Sequence, residues 1–440
     1  MINAAIVGLG RWGQNLVNSV QGKSEKIRFV AGVLRHPENA REYAERNGIA
    51  LHSSLDAVLS DPAIDAIVLA TPHTVHAEQI RAAVAAGKPV FTEKPFTLTS
   101  ADAREALREA GRRNVTVGVG YNWRFQPALQ AVRRMLDDGT LGKLLHIEGN
   151  FCGPSVYRFP KEHWRQQREE GPGGGMTGRG VHVVDAMLYL AGEVDSVYAQ
   201  SKRIALEYGI DDTTSMLFDF KGGATAYLGT VIATAETWRM QVFGSRGWVE
   251  VGDVEHLTTW QMRVCYVDPD NLLTHHRPQI ATFPETSTER AELENFADAV
   301  SEGRALAAPG GHEEHGVAVL EAILESARRG ERVKVGAQPA VGTRRAASKA
   351  EPSIATEAKR LLKRARKAIV GVVEKATGTA PAKRPAKKKK VRAAAKKSTR
   401  RANARAERRD TGKKTRSAKK RAAPSARRAS SAKKKAPRRK

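Results

Sequence analysis

A short apolar run, Ala4-Ala5-Ile6-Val7, leads directly into Gly8-Leu9-Gly10-Arg11-Trp12-Gly13, and Gln14 to Val20 then reads as a helix. Four apolar residues ended by glycine are too few for a helix and read as a strand. Three glycines at this spacing, between a strand and a helix, leave few folds open. Gly8 permits a tight turn, Gly10 lets the backbone approach a pyrophosphate, and Gly13 lets helix and strand pack closely. The helix N-terminus presents free N–H groups and a partial positive charge to phosphates. The bland alternative is a glycine-rich turn without a ligand.

The context repeats the pattern. Ile27 to Leu34, Ile64 to Ala70, Pro89 to Thr92 and Thr116 to Val119 read as further strands. Helices are expected from Pro37 to Asn47 with Gly48 as C-cap, from Val75 to Ala86, and from Ser100 to Arg113. Continuous apolar runs spaced by single helices predict a parallel sheet covered on both faces. After about Asn122 the rhythm changes. One helix, Gln126–Asp138, is followed by strand-like segments at 143–149, 194–205, 213–220, 224–234, 240–243 and 248–251. Their succession predicts an antiparallel sheet in a second α+β domain, closed by helices at 289–302 and 312–329. The expected organisation is an α/β Rossmann domain over 1–122, an α+β substrate and dimerisation domain over 123–340, and a tail over 341–440.

Charge separates the tail from the rest. The chain carries +27. Val341–Lys440 holds 38 basic and 5 acidic residues, whereas Met1–Ala340 holds 36 basic and 42 acidic residues. All 25 aromatics and both cysteines precede residue 341. A tail so poor in large apolar groups cannot offset its ordering entropy and is expected to be disordered. Two cysteines, Cys152 and Cys265, make no disulfide framework or metal-ligand pattern. No apolar run approaches the ~18–20 residues needed to span a bilayer. Without a leader-like N-terminus the expected setting is cytoplasmic and reducing.

Two positions bear on chemistry. NAD-binding loops of this kind place an acid at the end of the second strand to bond the ribose 2′-hydroxyl. Here that strand ends Gly32-Val33-Leu34-Arg35-His36. An arginine grips a 2′-phosphate and no acid repels it, so NADP(H) is expected over NAD(H), with NAD(H) still open. Glu93-Lys94-Pro95 follows the fifth strand at its carboxyl end, where doubly wound sheets bind ligands. Burial lowers a lysine pKa readily, so Lys94 can exchange protons with a substrate hydroxyl; the alternative is a surface loop lysine.

Five motifs in order carry a resemblance. They are Gly8 to Gly13; Ala70-Thr71-Pro72-His73-Thr74-Val75-His76; Thr92-Glu93-Lys94-Pro95; Gly120-Tyr121-Asn122-Trp123-Arg124-Phe125; and Gly173-Gly174-Gly175-Met176-Thr177-Gly178-Arg179-Gly180-Val181-His182-Val183-Val184-Asp185. Over Met1 to about Gly336 the chain resembles the glucose–fructose oxidoreductase / inositol dehydrogenase / rhizopine-catabolism (Gfo/Idh/MocA) family. The resemblance implies hydride transfer between a nicotinamide cofactor and a sugar, polyol or sugar-derived carbonyl. It implies Lys94 and His182 as the catalytic pair. It implies Gly8, Gly10, Arg11, Trp12, Gly13, Arg35, His36, Thr71, Pro72, His73, His76, Glu93, Lys94 and Asn122 around the cofactor. Tyr121, Trp123, Arg124, Arg179 and Asp185 would join Lys94 and His182 at the substrate, with Asp185 also readable as a helix support. It further implies a cis peptide before Pro95 and a homodimer or tetramer. No metal is expected at His73 and His76, which lack a third ligand.

One position departs from the family. An aspartate usually stands four residues before the histidine, and here Gly178 does. The missing carboxylate puts the substrate in question, and Arg179 could hold an acidic substrate group instead. The rival readings are a non-catalytic nucleotide-binding sensor and a DNA-associated protein. The tail blocks, such as Pro381-Ala382-Lys383-Arg384-Pro385-Ala386-Lys387-Lys388-Lys389-Lys390, resemble linker-histone tails and fit counterion-releasing contact with nucleic acid or another polyanion. A nucleoid-associated location is then possible.

Overall fold

The computed structural model describes residues 1–254, 259–272, 276–307 and 312–336. The tail, residues 255–258 and His275 lie outside them.

The first layer runs β1 Ile2–Val7, α1 Arg11–Val20, β2 Ile27–Val33, α2 Arg41–Asn47, β3 Ala50–His52, α3 Leu55–Leu59, β4 Ala66–Leu69, α4 His76–Ala85, β5 Val90–Thr92, α5 Ser100–Arg113 and β6 Val117–Val119. Its six strands are parallel, in the order β3-β2-β1-β4-β5-β6. The local signals are where the chain needs them. Ser54 and Thr99 accept N–H bonds at the starts of α3 and α5, while Gly48 and Asn114 end α2 and α5 in the left-handed region at φ 66° and 54°. Every residue of β4 is fully buried, as expected for a central parallel strand.

The helix expected over 37–47 is divided. A 3₁₀ turn covers Pro37–Ala40, Ala40 leaves helical geometry at φ −123°, and α2 starts only at Arg41. Sequence reading also missed β3 and α3, which are too short for a visible period.

The second layer holds α6 Pro127–Asp137, β7 Leu144–Cys152, α7 Val181–Ala191, β8 Val194–Lys202, β9 Thr213–Phe220, β10 Thr225–Val231, β11 Thr237–Gly244, β12 Gly247–Val251, β13 Gln261–Tyr266 and β14 Gln279–Thr282. It ends with α8 Thr288–Ser301, α9 Glu313–Arg329 and β15 Val333–Lys334. Nine strands form one sheet, β14-β13-β12-β11-β7-β10-β9-β8-β15. It is antiparallel except where β7 pairs with β10 in parallel, which corrects the purely antiparallel expectation. The crossover through residues 153–193, which includes α7, brings the chain back so that β8 runs in the same direction as β7, and two antiparallel steps through β9 then set β10 beside β7 in that direction.

Chain order would place α8 with the second layer, but its apolar side covers the first sheet. Phe296 lies 5.7 Å from Phe91, ring to ring, and Leu293, Phe296, Ala297 and Ala299 complete the core around Ile6, Phe29 and Val68. That sheet face is apolar and α1 alone does not cover it. Beyond α8, Leu306 forms a bridge with Val117 at the edge of β6. No helix among the described residues is long and apolar enough to cross a membrane.

Candidate active site

The carboxyl ends of β1, β4 and β5 carry three loops. At β1, Gly8 sits at φ 95°, and a Cβ there would stand 2.5 Å from the Ala70 carbonyl oxygen. Only glycine lets the turn pass under the end of β4. A Cβ at Gly13 would collide with the Gly8 carbonyl, so helix and loop touch backbone to backbone. Gly10 differs, because a Cβ there meets no atom within 4 Å. It caps α1 without a side-chain hydrogen bond and faces a cavity of about 600 Å³. This uncapped helix start, bare of side chains, fits a dinucleotide pyrophosphate. Thr71 and Pro72 line the cavity at β4, and Arg35 and Ser53 line it beside β2.

A second cavity of about 640 Å³ adjoins the first. The two share Arg11, Trp12, Thr71, Phe159, Trp164 and Arg165 as walls. Lys94, Glu93, His73, Asn122, Arg179 and His182 open on the second. The Lys94–Pro95 peptide is cis, as the resemblance implied.

Lys94 is partly buried, and its Nζ donates to the Gly178 carbonyl at 3.1 Å. Burial brings its pKa from 10.5 to about 8; Glu93 opposes that fall, and the charges of Arg165 and Arg179 add to it. Glu93 is buried, accepts a hydrogen bond from Trp12 Nε1 at 2.5 Å, and has its own pKa raised by burial against the pull of Lys94. The glycine loop is thereby tied to the lysine through one carboxylate. A Cβ at Gly178 would meet nothing within 4 Å. An aspartate would fit there, and in its absence the main-chain carbonyl holds the amine.

His182, in the first turn of α7, reaches the same cavity and stacks on Trp123 at 5.6 Å and 16°. His73 is held by the Glu170 carbonyl, and burial drives its pKa to about 3, so it is neutral. Thr74 binds the Glu170 carboxylate.

Several expected site residues are placed elsewhere. His76 is fully buried, bridges the carbonyls of Pro95 (2.9 Å) and Thr71 (3.1 Å), and lines neither cavity, so it braces the β4 and β5 loops. His36 is exposed and faces Glu38. Tyr121, Trp123, Arg124 and Asp185 are buried behind the cavity wall and do not line it, in contrast to Asn122 between them. Arg124 grips Asp185 through Nε–Oδ2 (2.9 Å) and Nη2–Oδ1 (2.6 Å), which makes Asp185 a support of α7. Arg179 does line the cavity, but its guanidinium is engaged by Glu236 at 2.7 Å and the Cys152 carbonyl at 2.8 Å, over the Phe151 ring. It is therefore not an open receptor for a substrate acid. Sequence reading missed Phe159, Trp164 and Arg165. The one available signal was a Trp-Arg pair in a polar loop before the glycine turn. His276 lines a separate cavity with Cys265.

Comparison with known proteins agrees with this geometry. Residues 2–121 match the oxidoreductase family model with an NAD-binding Rossmann fold, and residues 129–250 match the GFO/IDH/MocA C-terminal domain. The scyllo-inositol 2-dehydrogenase (NAD(+)) of Bacillus subtilis is 28% identical over 324 residues, 69% of this chain and 87% of that protein. The trans-1,2-dihydrobenzene-1,2-diol dehydrogenase of Sus scrofa is 29% identical over 228 residues, 51% of this chain and 66% of that protein. A solved levoglucosan dehydrogenase in complex with NADH shares the fold, with a TM-score of 0.67 at 22% identity over 76% of this chain and 99% of that one. Glycine loop, Glu-Lys-Pro turn and histidine helix around one pair of cavities, with both domain matches, place the chain in the Gfo/Idh/MocA family of NAD(P)-dependent oxidoreductases.

Proposed function

We propose that the protein oxidises a hydroxyl, or reduces the corresponding carbonyl, of a sugar or polyol, with NADP(H) preferred over NAD(H). The observation that carries this reading is Lys94: an amine whose pKa lies near 8, at a strand end, beside the cavity of the glycine loop. A general acid–base works best with a pKa near the working pH. A bound nicotinamide supplies the hydride acceptor or donor. It would be held by the glycine loop with Arg11, Thr71 and Pro72, and by Trp12 and Glu93 toward Lys94. The neutral Lys94 amine takes the substrate hydroxyl proton during oxidation, and its ammonium returns it during reduction. His182, which lines the same cavity, hydrogen-bonds a neighbouring hydroxyl. The relatives named for inositol and diol dehydrogenases support polyhydroxylated substrates. A panel of hexoses, inositols and cyclic diols with both cofactors tests the reading, and absence of turnover with all of them would point to the sensor alternative.

The cofactor preference rests on Arg35, an exposed arginine lining the cavity at the end of β2, where no acid stands. Arg35→Ser should weaken NADPH binding about ten- to a hundredfold and leave NADH nearly unchanged. Fluorescence titration reads both constants; wild-type enzyme binding NADH as tightly as NADPH overturns the preference.

The domain limits 1–122, 123–340 and 341–440 form part of this reading, as do assembly into a homodimer or tetramer and a tail that tethers the enzyme to polyanions. Removal of residues 341–440 should abolish DNA retardation and its steep salt dependence while turnover stays within about twofold. Retained retardation would assign nucleic-acid contact to the folded part.

A further inference from the structure

The charges around the second cavity do not balance. Three carboxylates line it, and each is committed. Glu236 holds Arg179, Glu170 binds the backbone and hydroxyl of Thr74, and Glu93 accepts from Trp12 beside Lys94. Three guanidinium groups remain, Arg11, Arg158 and Arg165, and none of them is in a salt bridge among the described residues; Arg11 and Arg158 are exposed. Arg165 is the best placed. It belongs to the segment between β7 and α7, which contributes to both cavities. Its guanidinium lies 4.3 Å over the Trp164 ring and 5.7 Å from Phe159. A guanidinium stacked on an aromatic face keeps its N–H edges free in the plane, and that fork matches a carboxylate or phosphate. Arg11 weighs against the charge of Arg165 while Glu93 favours it, and Arg165 in turn weighs against the charge of Lys94. Arg165 is partly buried, and holding a cation there without a salt-bridge partner is costly unless an anion enters.

We propose that Arg165, assisted by Arg11, receives an acidic group of the substrate, so that the enzyme prefers a sugar acid or sugar phosphate to a neutral sugar. The inference rests on the oxidoreductase reading and narrows its substrate class. The pyrophosphate of a dinucleotide has its own receptor in the backbone of Gly10 and the start of α1. Arg165 lines both cavities, lies near enough to Lys94 for its charge to act on that amine, and supplies the charge complement that Arg179, already held by Glu236, does not.

The test uses the full-length enzyme and matched sets of hexuronates, hexose 6-phosphates and hexoses. The expected result is a kcat/KM at least about tenfold higher for one acidic set than for hexoses, the set showing whether carboxylate or phosphate is preferred. Arg165→Met, which keeps the stacking volume, should raise the KM of the acidic sugar about ten- to a hundredfold. It should change the KM of the neutral sugar and the NADPH Kd by less than about threefold. The inference is overturned if hexoses are preferred or if the acidic preference survives Arg165→Met. It is also overturned if Arg165→Met weakens NADPH while leaving the ratio of acid to neutral unchanged. Calorimetric titration of hexuronate and hexose 6-phosphate into the enzyme–NADPH complex separates the two readings. Arg165-dependent binding without turnover sinks the oxidoreductase reading alone, and turnover of neutral sugars without acid binding sinks this one alone.

Discussion

Lys94→Ala should lower kcat by about two to four orders of magnitude, with the NADPH dissociation constant unchanged within about threefold. The amine is the group placed to move the hydroxyl proton, whereas the glycine loop that would hold the dinucleotide does not depend on it. Lys94→Arg should fail almost as badly, because a guanidinium does not give up its proton at working pH. The pH dependence has a definite sign. Burial lowers the Lys94 pKa to about 8, so the neutral, proton-accepting form dominates above that value. Oxidation should therefore rise through pH 8 and level off above it, and reduction should fall through the same range. A kcat profile without an inflection near 8, or substantial turnover by Lys94→Ala, removes the lysine from the proton transfer.

The largest effect on stability is expected at the Arg124–Asp185 pair. Both side chains are buried, about 3% and 2% exposed, and joined in a bidentate contact between the loop after β6 and helix α7. Breaking a buried pair from one side leaves a desolvated charge and costs about 3–5 kcal/mol. Asp185→Ala should show that loss as a lower urea midpoint at unchanged slope. Replacing both partners with apolar residues, Arg124→Met with Asp185→Leu, should recover most of it, since the penalty lies in the uncompensated charge. If Asp185→Ala is neutral while His182 activity falls, Asp185 belongs to the site and not to the support of α7.

These two predictions differ in how visible they were. The sequence marked Lys94 twice, by its place after a strand and by the Glu-Lys-Pro motif. For Asp185 it offered two roles, and only the position of Arg124, 61 residues away, decides for the support. The same holds across the site. Gly8, Gly10 and Gly13 were readable because each need arises within a few residues: a tight turn, an open approach, a close helix. His73 and His76 look equivalent at three-residue spacing, yet one faces the cavity and the other is buried under Pro95. Tyr121, Asn122, Trp123 and Arg124 are consecutive, and of these only Asn122 reaches the cavity. A 3₁₀ turn over Asn122–Phe125 sends neighbouring side chains in different directions, which a motif cannot convey.

What the sequence determined by itself was the alternation of the longer strands and helices, the glycine loop, the lysine placed after the fifth strand and the split of charge between residues 1–340 and the tail. Each follows from local periodicity, backbone freedom or composition. Tertiary structure alone decided which charges are neutralised. Arg179 meets Glu236 57 residues on, and Lys94 meets the Gly178 carbonyl across 84 residues. Arg165 meets an aromatic face and no carboxylate among the described residues. Electrostatic pairing depends on distance in space, and chain order says little about which residues will share a cavity wall.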